Sequence, residues 1–303
     1  MTDLMPDFSD PAHNGSQRPI HIPIRSLMPE PTDAVEYMAM PREMTTFSMP
    51  SLPEPGPDTD VAGARDVLDT FVGHMSAWLD QAGDGGTLPA LDLAGLPAAT
   101  LRVLNETLGE GEVSAIVEAG HEVRVQETVF SGVWREQHLN GTHLLHDYLL
   151  AAPIPPVVAA VAQERASATL RQLPLPAGAM NVPALVNELQ EAMDLAGPDT
   201  PSRVINLTLL PLSPEDAAHL DAVLDGGSVV LLSRGFGNCR ISSTAARHVW
   251  RVQYFNNMQT LILNTIEVVP MPEVAVAARE DLVETRDRLL DLVQWMGDSL
   301  TPA

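Results

Sequence analysis

The sequence predicts an α+β fold: a tandem duplication of an α-β-α-β-β-β-α module with antiparallel meander sheets, preceded by a Pro/Met-rich extended arm. Three observations predict it. Residues 104–140 and 220–256 match each other at a constant shift. Inside each match, segments of period two are separated by turn residues, as strands are. Around the matches, apolar residues fall at helical spacing.

The match carries Leu104 onto Leu220, a shift of 116 positions, and with it Leu108 onto Leu224, Gly111 onto Gly227, Val113 onto Val229 and Arg124 onto Arg240. Thr128 falls on Thr244, Val133-Trp134-Arg135 on Val249-Trp250-Arg251, Gln137 on Gln253 and Asn140 on Asn256. Two of the four tryptophans coincide. One residue later in register, Pro153-Ile154-Pro155 falls on Pro270-Met271-Pro272. The expected organisation is an arm over residues 1–60, a first module over 61–170, a linker over 171–180 and a second module over 181–303.

The arm is dense in proline, with Met-Pro pairs at Met5, Met28, Met40 and Met49. Proline removes backbone donors and disfavours helix in the residue before it, so no domain is expected here. Two readings stand: a disordered tail, or a segment around Tyr37–Met44 that docks on the folded body or a partner through its methionines. From Val61 to Ala82, the residues Val67, Leu68, Phe71, Met75, Trp78 and Leu79 mark an amphipathic helix, and Val182 to Leu195 is its counterpart. Each ends at Ala-Gly, Ala82-Gly83 and Ala196-Gly197, a C-terminal stop. A short strand follows, clearer at Val204–Leu210. Ser213-Pro214-Glu215-Asp216 then opens a helix with a cap, a proline at its first position and acids at the positive end of the dipole.

The strands come next. Val229-Val-Leu-Leu232 is an unbroken apolar run suited to a strand covered on both faces. Gly235 and Gly237 turn the chain into a long strand that runs on to Asn256 and sets Trp250, Val252 and Tyr254 on one face and Arg251 and Gln253 on the other. Asn256-Asn257 reverses it into Leu261–Val269. In the first copy Asn140-Gly141 occupies that place, a type I′ signal with positive φ at both central residues. A closing helix is expected at Val157–Leu170 in the first copy. In the second it is expected at Glu273–Met296, with Val276, Leu282, Leu289, Leu290 and Val293 as the apolar stripe.

Composition excludes several functions. A net charge of −23 argues against nucleic acid, whose binders need a cationic surface. The single cysteine, Cys239, rules out an internal disulfide and a cysteine-ligated iron–sulfur or zinc site built by one chain. No apolar run reaches the ~18 residues of a membrane span, and the N-terminus lacks the basic and apolar regions of a signal peptide. The expected location is the cytoplasm, without membrane insertion.

Candidate chemistry is sparse. His138, His143 and His146 cluster on the first hairpin, but no carboxylate completes a ligand set, so no metal site is expected. Gly235-Phe236-Gly237 lacks the third glycine of a dinucleotide loop and leads into a strand. Cys239 beside Arg240 admits two readings, a thiolate nucleophile or a buried cysteine packed in a strand; Val123 at its place in the first copy favours the second. Arg135/Gln137 and Arg251/Gln253 either meet a partner or pair with acids such as Glu267, and Trp134 and Trp250 read as core anchors. No nucleophile–base pair, phosphate cradle or cofactor motif emerges, so no cofactor is expected and the chain reads as a non-enzyme. The candidate partner-binding residues are Gly235, Gly237, Asn238, Cys239, Arg240, Arg251, Gln253 and Asn256.

The second copy resembles the C-terminal domain of the HupH/HyaF family of hydrogenase expression/formation proteins. The resemblance rests on Leu224–Val229, Gly235–Thr244, Val249–Asn256, Leu261–Val268 and Pro272–Ala275, and extends to the arm through Met40-Pro41 and Leu52–Pro55. It implies an accessory protein or chaperone in the maturation of uptake nickel–iron hydrogenase. The partner it implies is the hydrogenase small-subunit precursor, which carries iron–sulfur clusters and a twin-arginine export signal. The family brings no catalytic residues. The first copy departs from the motif, with Ala119–Val123 where the second has Gly235–Cys239. Two rivals stay open: a thiol-dependent redox or transfer factor using Cys239, and a scaffold for other hydrogenase maturation proteins.

Overall fold

The structure, a computed structural model, describes residues 59–81, 87–197, 200–235 and 237–299. The arm before Thr59 and the Ala82-Gly83 stop lie outside the described residues. The chain runs α1 (Val61–Asp80), β1 (Ala90–Asp92), α2 (Ala98–Leu108), β2 (Val113–Glu118), β3 (Glu122–Glu127), β4 (Val133–Asn140), β5 (His143–Ala151) and α3 (Pro156–Glu164). It continues through α4 (Val182–Leu195), β6 (Arg203–Asn206), α5 (Pro214–Leu224), β7 (Gly226–Ser233), β8 (Asn238–Thr244), β9 (Val249–Phe255), β10 (Leu261–Val268) and α6 (Arg279–Ser299). Short 3₁₀ turns occupy Leu207–Leu209 and Glu273–Ala275.

The expected α+β class is what the chain adopts, but the described strands form one sheet rather than two meanders. All ten are antiparallel to their neighbours, in the order β1-β5-β4-β3-β2-β7-β8-β9-β10-β6. The halves join where β2 pairs β7, from Val113 opposite Ser233 to Val117 opposite Val229. Separate sheets would leave each of these apolar strands an open edge that templates aggregation, and pairing them removes both edges. The Val229–Leu232 run lies at this seam.

Each half also has one more strand than expected. The long strand through Ser243 and Val249 is two, β8 and β9, folded back on each other with Ser243 opposite Trp250. The turn is held by Thr244, whose Oγ1 accepts from Ala246 N at 3.1 Å, and by His248 at φ 63°. The first half makes the same turn with Thr128, which accepts from Phe130 N, and with Gly132 at φ 75°. A hairpin expectation also changes. At Asn140-Gly141 only Gly141 has positive φ (61°), and in the second hairpin the positive φ is at Gln259 (60°), so neither is type I′.

The sheet's two faces are covered differently. One is roofed at its centre by α3 and the Glu273–Ala275 turn, over a core that runs across the seam and contains Trp134, Trp250, Val117, Leu231 and Cys239. Both tryptophans are fully buried, and each indole satisfies its N–H, Trp134 donating to Ala152 O at 2.9 Å and Trp250 to Val269 O at 3.2 Å. The opposite face carries two separate packs of helices, α1, α2 and α6 over the first half and α4 and α5 over the second.

The closing helices depart most from expectation. α3 ends at Glu164, and beyond it Ser167 crosses to the second half, where its N–H donates to Ala245 O and its C=O accepts from Arg247 N, both at 2.8 Å. Leu170 then enters the second half's core. In the other direction α6 crosses to the first half. Leu282, Leu289, Val293 and Met296 pack with Phe71 and Met75 of α1, and Thr285 Oγ1 donates to Ser131 O at 2.9 Å. Val276 precedes α6 and Leu290 lies on its solvent side, so both drop out of the expected stripe. Each half thus carries its tail onto the other half's mid-sheet turn.

Candidate functional site

Strand alternation sorts the candidate residues onto two faces. Cys239, Ile241, Trp250, Val252 and Tyr254 point under α3, while Asn238, Arg240, Arg251 and Gln253 point to the face with the helix packs. The sequence had grouped Cys239 with the arginines; the sheet keeps them apart.

On the helix-bearing face the two packs leave the seam uncovered. One register level across it runs Gln137, Arg124, Ile116, Val230, Ser242 and Arg251. Ile116, Val230, Arg124, Ser242 and Arg251 are all half-buried, and Gln253 beside them is too. The result is a shallow floor with an apolar centre and guanidinium and amide walls between α2 and α5. Arg251 is fixed there by two oxygens: its Nη1 donates to Asp221 Oδ1 on α5 at 2.6 Å and its Nε to Asn264 Oδ1 on β10 at 3.1 Å. Glu267, offered as its partner, lies on the other face opposite Trp250. Arg240 is buried, and burial, with Arg251 adding to it, lowers its pKa.

The glycine loop is constrained by backbone conformation at Gly237. A Cβ on Gly235 would require only that the exposed end of the Glu112 side chain move aside, whereas Gly237 sits at φ 98°, where a side chain is strained. Asn256 serves its own turn, its Oδ1 accepting from Met258 N and Thr260 N at 2.9 Å each. Cys239 has no exposed surface; burial, with Glu267 adding and a Tyr254 hydrogen bond opposing, pushes its thiol up to about 12. A thiol held neutral to that degree and walled in by core side chains has neither the charge nor the access of a nucleophile.

Other polar groups gather away from the seam, and the histidines of the first hairpin acquire partners that their spacing did not indicate, His121 and Glu136. His121 Nε2 and His138 Nδ1 share a hydrogen bond at 2.8 Å, His138 Nε2 meets Glu136 Oε1 at 2.8 Å, and His146 stacks on Tyr148 with centroids 5.7 Å apart. His143 sits instead opposite Asn140 at the hairpin's end. Among the described residues no group of three or more histidine, cysteine or acidic side chains is placed to hold a metal. Glu127 is buried beside the Ser131-Gly132 turn. Burial pushes its pKa up to about 7, with Glu112 adding, against hydrogen bonds from Gly132 N, Val113 N and Ser131 Oγ. Asp216 is sealed between α4 and α5 and accepts from the N–H groups of Met180, Asn181, Val182 and Ser213, at 2.8 to 3.1 Å. Burial works to raise its pKa and the four donors outweigh it, holding it down at about 2.

Comparison with known proteins gives one family. The conserved region described as "HupH hydrogenase expression protein, C-terminal conserved region" matches twice, over residues 61–173 and 179–296. The hydrogenase expression/formation protein HoxQ of Cupriavidus necator is 40% identical over 266 residues, 88% of this chain and 93% of that protein. The hydrogenase-1 operon protein HyaF of Escherichia coli is 35% identical over 217 residues, 71% of this chain and 75% of that protein. A solved structure of the hydrogenase expression protein HupH from Thiobacillus denitrificans aligns at 30% identity and a TM-score of 0.35, over 39% of this chain and 96% of that one.

Proposed function

The chain belongs to the HupH family of hydrogenase expression/formation proteins, and from that premise we propose that it is a non-catalytic accessory factor of nickel–iron hydrogenase maturation that holds the small-subunit precursor in the cytoplasm before twin-arginine export. The observation that carries the non-catalytic part is the state of Cys239: the chain's one thiol is buried, neutral and held in the core beside Tyr254. The same observation weighs against the thiol-transfer reading.

The binding surface in this reading is the seam floor. Arg251, Gln253 and Arg124, whose Nε donates to Glu122 Oε1 at 2.6 Å, are half-buried there around Ile116 and Val230, and an apolar centre flanked by guanidinium and amide groups suits a peptide segment better than a small substrate. The two halves are, in this reading, copies of one module, supported by the double family match and the repeated tryptophan and threonine contacts. The surplus of acid elsewhere steers a precursor bearing paired arginines.

The test is a binding measurement with purified precursor and signal-less mature subunit across a salt series. Association with precursor is expected to slow as salt shortens the Debye length below ~8 Å, with dissociation changing less. Arg124→Ala with Gln253→Ala is expected to weaken capture at unchanged melting temperature. Equal, salt-independent binding of both subunit forms would remove the steering step. No binding to either would favour the scaffold for other maturation proteins.

A further inference from the structure

A second surface lies away from the seam, where the last turn of α4 passes the end of β10. It forms a half-open cavity of about 310 Å³, at the lower end of the ~300–1,000 Å³ of ligand pockets, with room for one or two side chains. Its apolar lining comes from Ala192, Ala196, Val268 and Pro270, and Glu188 and Glu191, three residues apart on α4, bring carboxylates to its wall.

Three features set the charge of what fits. The cavity lies at the C-terminal end of α4, the negative pole of the helix dipole, where the carbonyls of Met193 and Leu195 accept from Ala196 N at 3.2 Å and Thr200 Oγ1 at 2.8 Å. The last turn of α4 holds no basic residue to answer that pole. One guanidinium of the chain is already bound at the wall: Arg203 Nε donates to Glu188 Oε1 at 3.0 Å, and its Nη2 reaches the same oxygen. That pair occupies Glu188 and leaves Glu191, exposed and on the same helical face, as the acceptor for a second cation. The apolar lining selects further. A hydrated inorganic cation gains nothing from Ala192 and Pro270, whereas a long side chain lays its methylenes there and keeps its head at the carboxylates.

We propose that this cavity is a receptor for an arginine side chain carried by an extended segment of a partner protein. Arginine rather than lysine is specified because the planar fork can hydrogen-bond a carboxylate through two N–H groups while lying flat on an apolar wall, as Arg203 pairs beside it. The proposal is separate from the seam floor; it deepens the reading above by naming a place for a paired-arginine segment, while its test needs only a cationic peptide.

The probe is a fluorescein-labelled decapeptide with two adjacent arginines among leucines and serines, titrated into the full chain by anisotropy. Glu191→Gln is expected to weaken it about five- to tenfold, roughly 1 to 1.4 kcal/mol, and Ala192→Phe, which fills the cavity, by at least as much. Glu284→Gln with Asp291→Asn removes two charges from the distant α6 and is expected to leave affinity unchanged, which separates the cavity from the general field of an acidic protein. A lysine version should bind more weakly and a citrulline version should not bind. Equal losses from the α4 and α6 variants, or equal affinity for arginine and lysine peptides, overturn the proposal. A tenfold gain on neutralising Arg18, Arg25 and Arg42 to glutamine would make the chain itself the occupant and overturn the partner. Peptide binding intact alongside lost precursor capture would count against the hydrogenase reading alone.

Discussion

Arg135 and Arg251 hold equivalent places in the two halves, and each is gripped by one carboxylate and one carboxamide, with the two exchanged. Arg135 takes its carboxylate from the neighbouring strand, Asp147, and its amide from the helix above, with Nη1 donating to Asn105 Oδ1 at 2.7 Å. Arg251 takes its carboxylate from the helix, Asp221, and its amide from the strand, Asn264. Both pins fasten a helix to the sheet, but the charge of one is inside and that of the other is at the surface.

That exchange sets unequal costs. The side chains of Arg135 and Asp147 are 8% and 5% exposed, so Arg135→Ala strands a buried carboxylate and is expected to destabilise by about 3–5 kcal/mol. Those of Arg251 and Asp221 are 29% and 53% exposed, and Arg251→Ala is expected to cost about 1 kcal/mol or less. Denaturant melts of the two variants check this. Equal losses would mean that helix position, not burial of the charge, sets the cost.

Glu127 makes stability depend on pH in a stated direction. Its folded pKa, about 7, lies above its ordinary 4.5, so the proton is held more tightly in the fold. This contribution is fully present below about 4.5 and is lost as pH rises through 7, to a total on the order of 3 kcal/mol. Glu127→Gln keeps a neutral group at the site, and its advantage over wild type in melting temperature should grow from pH 5 to pH 8. A difference constant over that range would show that Glu127 titrates as an exposed acid.

Cys239 is expected to resist iodoacetamide in the native protein at pH 8 and to react only at the rate of unfolding, because the thiolate is both scarce and inaccessible. Fast, stoichiometric alkylation without denaturant would restore the thiol-transfer reading.

Much of this was legible in the sequence. Trp250, Val252 and Tyr254 alternate with Arg251 and Gln253, and the sheet separates them as that alternation requires. The turn at Ala245–His248 was not legible, because its positive φ is carried by a histidine; the first half's Gly132 at the same place was the available signal. The arginine pins were hidden because Asn105 matches Asp221 and Asp147 matches Asn264 as unlike residues, which no identity between the halves marks. The single sheet was hidden too, since an apolar strand does not announce which edge it will join.

The crossing of the tails leads to the last prediction. An amphipathic stripe on α6 records that Leu282, Leu289, Val293 and Met296 are to be buried, but not against which half, and proximity in sequence points to the wrong one. In the fold these residues close the core formed by Phe71 and Met75 of α1, while Leu170, from the first half's tail, closes the core of α4 and α5. A cut at residue 175 therefore leaves each fragment without a piece of its own core and with a piece of the other's. The first fragment lacks four large side chains, each worth roughly 1.5–3 kcal/mol on burial, against a total stability of ~5–15 kcal/mol for a domain. Fragments 1–175 and 176–303 are expected to be unfolded or aggregated when expressed separately. Refolded together, they should form a one-to-one complex with the intact chain's near-ultraviolet circular dichroism. Deleting residues 279–303 from the whole chain should raise amide exchange in α1 and α2 more than in α4 and α5. Protection lost mainly from α4 and α5 would show that α6 serves the half it follows in sequence, and the reciprocal closure would be wrong.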